Sequence, residues 1–365
     1  MFKFIHAADF HLDSPFAALP AGAAAARRRE SRLTVERLAD YVEAHGIDAV
    51  LLCGDLFDSA SPYRETGETL AAALGRMPAR VFIAPGNHDW MDPASPWEKV
   101  QWPENVTIFR KNHMTAVRVP AWNAVFHGAA FTEPEQTASF LKDFSVPQDG
   151  RLHIGLLHGE IEPSEARYNP LSRQEIADSG LHYLALGHIH KRTEPLKFGR
   201  TVCAWPGCIE GRGFDELGEK GFYEGTMADD GTVSLTFVPF AQRRYWQLEV
   251  DVTGKDPKAA VEAALPDHAE RDLCRILLTG ETEEGGVDTA MLQEALTGWC
   301  YSLDIRDHTQ MAEDLWQRAG EDSLRGLFLR ELLIRRKAAQ SDKERETIDR
   351  AARFGLAALD HRDLD

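Results

Sequence analysis

The sequence predicts an α/β protein, a large layered domain followed by a smaller one, and three observations carry that reading. Through about residue 240, short apolar runs alternate with helical stretches and turns rich in Gly, Pro and Asn, the pattern of strands feeding helices across a sheet. From Tyr245 the pattern shortens to strand, helix, strand, helix, strand. At 365 residues the chain also exceeds the roughly 250–300 at which one hydrophobic core stops growing.

The elements follow in order. Phe2 to Ile5 reads as the first strand, and Arg32 to His45 as the first helix. Before that helix, Ala21 to Ala26 and the run Arg27, Arg28, Arg29 read as a loop entering it, with solvated arginines rather than a phosphate grip. Strands are expected at Ala49–Cys53 and Val81–Ala84, separated by a helix over Glu65 to Arg76. Further strands are expected at Ala124–Phe126, Ile154–Leu157, Tyr183–Leu186, Thr201–Ala204, Gly221–Tyr223 and Val233–Phe240. The smaller domain comprises strand Trp246–Val252, helix Pro257–Leu265, strand Leu273–Thr279, helix Thr289–Trp299 and strand Tyr301–Arg306. From Ala312 the tail reads as helical, with Leu324, Leu327, Phe328 and Leu332 on one side and Arg325, Arg330, Arg335, Arg336 and Lys337 around it. The expected division is therefore 1–240, 241–310 and a helical tail over 311–365.

Composition narrows the class. A 43% hydrophobic and 27% charged chain is an ordinary globular one, and no run approaches the ~20 apolar residues of a membrane span. Met1 to Ile5 shows no basic region leading into a long apolar one, so no secretory signal and a cytoplasmic location are expected. Five cysteines without a CxxC pair fit reduced thiols rather than ligands. The net charge of −17 opposes tight autonomous binding to nucleic acid. Neither part of the chain is basic: residues 1–240 hold 23 Lys and Arg against 32 Asp and Glu, and 241–365 hold 18 against 26.

The chemistry lies at the strand ends. Five apolar runs each lead into a short polar cluster: Asp9-Phe10-His11, Gly54-Asp55-Leu56-Phe57-Asp58, Gly86-Asn87-His88-Asp89, His158-Gly159-Glu160 and Gly187-His188-Ile189-His190. In an extended segment alternate residues point the same way, so Asp9 and His11 offer a carboxylate and an imidazole to one ion. The GDxxD cluster adds a carboxylate able to bridge two ions. Mixed oxygen and nitrogen donors suit Mn, Fe or Zn better than Ca, and paired metals serve phosphate ester chemistry. His6, His113, His127 and His153 fall outside the clusters and read as structural.

On these clusters the chain resembles the calcineurin-like metallophosphoesterases. Within that superfamily it is similar to the SbcD-like DNA repair exonucleases, in particular a YhaO-like bacterial branch. The finer likeness rests on His11-Leu12-Asp13-Ser14-Pro15-Phe16, Tyr183 to His190, and Pro206-Gly207 followed by Glu219-Lys220-Gly221. The resemblance implies a four-layer α/β sandwich with a smaller C-terminal capping domain, and two divalent cations, manganese first. It implies that Asp9, His11, Asp55 and His190 hold one cation and Asp55, Asn87, His158 and His188 the other. His88 would be catalytic, with Asp89 orienting it.

One position departs from the SbcD-like pattern: Asp58 stands where a histidine is common, and reads as an acceptor for a ligand histidine. Arg212, Lys191 and Arg192 lie near the motifs and read as substrate-phosphate contacts or as exposed charge. The expected function is a metal-dependent phosphodiesterase acting on DNA in repair. Expected partners are DNA and a coiled-coil ATPase docked on the tail, with a homodimer left open and no membrane. The rivals are a phosphomonoesterase or small-molecule phosphodiesterase, and a non-catalytic subunit of an ATPase complex.

Overall fold

A computed structural model describes residues 1–17, 19, 21–282, 286–311 and 316–359. Residues 312–315 and 360–365 of the expected helical tail lie outside the described residues. The chain opens with β1 (Phe2–Ala7), α1 (Ala21–His45), β2 (Ala49–Leu52), α2 (Arg64–Arg76), β3 (Arg80–Ile83), α3 (Pro96–Lys99) and β4 (Val106–Ile108). Next come β5 (Thr115–Val119), β6 (Ala124–Gly128), β7 (Leu152–His158), β8 (Glu160–Ile161), β9 (Pro170–Leu171), α4 (Arg173–Ser179) and β10 (Tyr183–Gly187). Then follow β11 (Leu196–Phe198), β12 (Thr201–Ala204), β13 (Gly221–Met227) and β14 (Val233–Pro239).

Twelve of these strands build two six-stranded sheets, ordered β14-β13-β1-β2-β3-β4 and β11-β12-β10-β7-β6-β5, while β8 and β9 pair with each other. In the first, β1 to β4 run parallel, with β13 and β14 added antiparallel. In the second, β12, β10, β7 and β6 are parallel, with antiparallel edges.

The side-chain alternation explains the layering. Phe2, Phe4, Ala49, Leu51 and Phe82 of the first sheet pack with Phe126, Leu152, Ile154, Tyr183 and Ala185 of the second. Phe82 and Phe126 stack at 4.0 Å between ring centroids. The intervening residues Ile5, Ala7, Val50, Leu52, Val81 and Ile83 face a second cluster with Val35, Leu38 and Val42 of α1 and Leu70 and Leu74 of α2. Leu184 and Leu186 face a third cluster that includes Ile176 of α4. Both faces of the central strands β2, β7 and β10 are thus buried, which is why these strands read as continuous apolar runs. The result is the expected α/β sandwich of two sheets covered by helices.

α1 begins at Ala21, so the Ala-rich stretch is its first turns and not a loop. Arg27 is buried, donating to Glu30, to Glu210 at 3.2 Å and to the Gly211 carbonyl. A poly-Ala run has the highest helix propensity, and this tertiary ion pair anchors it.

The C-terminal part adds β15 (Tyr245–Asp251), α5 (Pro257–Ala264), β16 (Leu273–Thr279), β17 (Glu281–Thr282), α6 (Thr289–Ala295), β18 (Ser302–Asp307), β19 (Gln310–Met311), α7 (Leu324–Ala338) and α8 (Asp342–Leu359). The chain divides into two compact units, Met1–Leu248 with Pro266–Arg275 and Thr297–Asp304, and Glu249–Leu265 with Ile276–Leu296 and Ile305–Asp365. In the second unit, Phe328, Leu329, Leu332 and Leu333 of α7 pack on Ala352 and Leu356 of α8. Leu324 and Leu327, expected on the same face as Phe328 and Leu332, are instead exposed along with Ile334. All five cysteines are free thiols, four of them buried. Among the described residues no helix is long and apolar enough to cross a membrane.

Candidate metal centre

The five clusters meet because both sheets deliver their parallel strands' carboxyl ends to one edge. Asp9, Asp55 and Asn87 follow β1, β2 and β3, while His158 ends β7 and His188 and His190 follow β10. Tight turns are needed to aim them. Asp9, His11, Asp55 and His188 have positive φ values of 55°, 45°, 51° and 95°, conformations that non-glycine residues adopt only when the surroundings impose them. Gly187 is required as well, since a Cβ there would overlap the Cys53 carbonyl.

The ligand atoms converge in two groups. Asp9, His11 and His190 form one, and Asp55, His158 and His188 the other, the atoms in each lying within 4.8 Å of one another. His11 Nε2 faces His190 Nε2 at 3.1 Å. Asp55 Oδ2 stands 3.7 Å from His11 Nε2 and 3.3 Å from His158 Nε2, and so lies between the groups. Asn87 Oδ1 is 2.9 Å from His158 Nε2 and 3.0 Å from His188 Nδ1.

Each imidazole is held by its other nitrogen. His11 Nδ1 donates to Asp58 Oδ1 at 3.0 Å, His190 Nδ1 to Glu216 Oε1 at 2.6 Å, and His158 Nδ1 to the Cys53 carbonyl at 2.8 Å. His188 is turned the other way, with Nε2 donating to Glu160 Oε1 at 2.7 Å and Nδ1 facing Asn87. A histidine so held presents a lone pair inward, which is how protein metal sites set the tautomer of their ligands. Four inward nitrogens, two inward carboxylates and an amide oxygen fit two divalent cations sharing Asp55.

Charge follows the same layout. Burial alone would raise Asp55, but the charge and hydrogen bond of His158 and the charge of His11 hold its carboxyl well below the usual range. Burial alone would lower His158, yet Asp55 and Asp9 push it up to about 9. Burial, with the neighbouring His158, brings His188 down to about 3. Burial raises Asp9 against the opposing charge of His158.

His88 lies beside the centre, exposed, its ring edge-on to His11 at 4.9 Å and its Nδ1 3.2 Å from the Asp58 carbonyl. The expectation that Asp89 orients it is corrected. The Asp89 carboxylate is fully buried and accepts the backbone N–H groups of Gly86, Asp55, Leu56 and Phe57. Those orphan donors of two strand-end turns need a buried acceptor, and Asp89 supplies it. Burial and then the Asp55 charge push Asp89 up to about 7. Asp58 touches His11, as its sequence position suggested.

Glu160 and Glu216 were not singled out as partners of the ligands. Glu160 stands in the His-Gly-Glu cluster; Glu216 lies in a loop without any such signal. Arg212 turns inward to Asp58 and Glu216. Arg192 lies over the Phe237 ring and Lys191 is exposed. Of the other histidines, His6 is buried against Tyr183 and Leu186, His127 and His153 pair at 2.9 Å, and His113 is exposed.

A two-sheet α/β sandwich with a carboxylate between two histidine-bearing clusters defines a metallophosphoesterase. Residues 2–192 match the model of the calcineurin-like phosphoesterase family, and the chain belongs to that family. It is 31% identical over 265 residues to the uncharacterized metallophosphoesterase YhaO of Bacillus subtilis (strain 168), a match covering 68% of this chain and 63% of that protein. The chain thus spans less than two thirds of that relative's length. A crystal structure of TT1561 of Thermus thermophilus is similar at 12% identity and a TM-score of 0.39, over 65% of this chain and 98% of that one.

Proposed function

We propose that the protein is a phosphodiesterase that uses two divalent cations, manganese by preference, to cleave DNA. The observation that carries this reading is Asp55 Oδ2 lying between His11 Nε2 and His158 Nε2, a carboxylate placed to be shared by two ions. Two cations bound here would polarise a phosphoryl oxygen and acidify water for in-line attack at phosphorus. The chain's own residues do the rest. Asp55 and Asp9 supply negative charge that draws cations in. His88 donates Nδ1–H to the Asp58 carbonyl, which leaves Nε2 to hold or pass a proton at the departing oxygen.

DNA as substrate rests on the resemblance to SbcD-like nucleases, and the charge of −17 calls for a partner to supply grip. A coiled-coil ATPase is that partner in our reading, docked on the exposed stripe Leu324, Leu327 and Ile334 of α7. Hydrolysis of a nitrophenyl phosphodiester, a nitrophenyl phosphomonoester and single-stranded DNA with manganese tests the substrate. Cleavage of the diester and of DNA above the monoester supports a nuclease; preference for the monoester overturns it. Removing residues 320–365 is expected to abolish ATPase binding while diester hydrolysis persists.

A further inference from the structure

We propose that Arg212 is a positioning residue for one of the two cations, locking His11 and His190 together through Asp58 and Glu216. The inference rests on the two-cation reading and adds a residue that acts on only one of the two sites. Arg212 Nη1 donates to Asp58 Oδ1 at 3.0 Å, the oxygen that also receives His11 Nδ1. Its Nη2 donates to Glu216 Oε1 at 2.9 Å, the oxygen that receives His190 Nδ1. Its backbone N–H donates to the other oxygen of Glu216 at 2.7 Å. His11 and His190 then face each other through their Nε2 atoms, so the five side chains close a ring.

The ring has a physical purpose. Asp58 and Glu216 fix both imidazoles with Nδ1 protonated and Nε2 free. Two more carboxylates beside Asp9 and Asp55 would repel one another, and the guanidinium offsets that charge while its planar fork sets their spacing. Burial alone would raise the Glu216 carboxyl, but His190 and Arg212 hold it well below the usual range. Both Nη atoms are committed inward, which leaves this side chain a support of ligands rather than a contact for substrate phosphate.

The effect is selective. His158 and His188 are held by the Cys53 carbonyl and by Glu160, neither of which Arg212 touches. The cation held by Asp9, His11 and His190 is therefore the one that depends on Arg212. Loss of an outer partner of a ligand weakens metal binding by about 10–100-fold.

Chelator-stripped parent, Arg212→Met and Arg212→Lys proteins are titrated with manganese, reading stoichiometry and affinity by calorimetry and spin coupling by electron paramagnetic resonance. The parent is expected to bind two coupled ions. Arg212→Met should keep one ion at parental affinity and bind the other about 10–100-fold more weakly, with the uncoupled six-line signal dominant at one equivalent. Arg212→Lys keeps the charge without the fork and should fall between; it decides alone where the Met variant does not fold. Two ions at unchanged affinity, including with a raised KM, would overturn the inference, as would equal weakening of both. A parent that binds no cation overturns the two-cation reading together with it.

Discussion

Asp89 Oδ2 accepts the backbone N–H of Leu56 at 2.8 Å, tying the turn after β3 to the turn after β2. Through Gly86, Asp55 and Phe57 the same carboxylate gathers three further donors. Asp89→Asn puts an NH₂ donor where an acceptor is needed. We expect a loss of about 1–3 kcal/mol in denaturant unfolding of the metal-free protein. Manganese affinity should fall as well, since Asp55 sits on the turn that loosens. Unchanged stability would contradict this role.

His88→Ala should separate chemistry from metal binding. The ring touches the centre only edge-on and bonds to a backbone carbonyl, so its removal leaves every ligand in place. We expect parental metal content with kcat on a nitrophenyl diester lowered by about 10²–10⁴-fold. Turnover at the parental rate with both ions bound would remove His88 from the mechanism.

Much of this was readable from sequence, for identifiable reasons. Parallel strands buried on both faces announce themselves as apolar runs, and ligands at their ends appear as short fixed-spacing clusters. Glu216 meets His190 across 26 positions and Arg212 meets Asp58 across 154, and no local pattern records such pairings. The start of α1 stood in the helix propensity of its Ala run; the burial of Arg27 did not, because Arg27 finds Glu210 across 183 positions. Asp89 was misread through its neighbour His88; its true partners are backbone donors, which leave no trace in residue identity.

Metal uptake should release protons. Burial alone would lower His158, yet Asp55 and Asp9 bring it to about 9, and a histidine must be neutral to ligate. A cation taken up here would displace the His158 proton, so affinity should climb with pH through the neutral range. Calorimetry at pH 7.5 in buffers of different ionisation enthalpy measures the released protons directly. A heat independent of buffer would refute the prediction.

His6 offers a pH effect at a histidine outside the ligand set. Its Nε2 donates to the Leu186 carbonyl at 3.0 Å and its Nδ1 accepts from the Tyr183 hydroxyl at 2.7 Å, bonding that uses the neutral ring fully. Burial brings His6 down to about 3, from 6.5 in an unfolded chain. Between these values the unfolded state binds the extra proton, so the contribution is complete above pH 6.5 and is lost as pH falls toward 3. His6→Gln should flatten the stability-versus-pH slope in that window, whatever its effect at neutral pH. Tyr183→Phe should cost about 1–3 kcal/mol at pH 7.5, by stranding the buried Nδ1 acceptor. Chemical denaturation at pH 4.5, 5.5 and 7.5 reads both, and a slope identical in parent and His6→Gln would assign the acid loss to other groups.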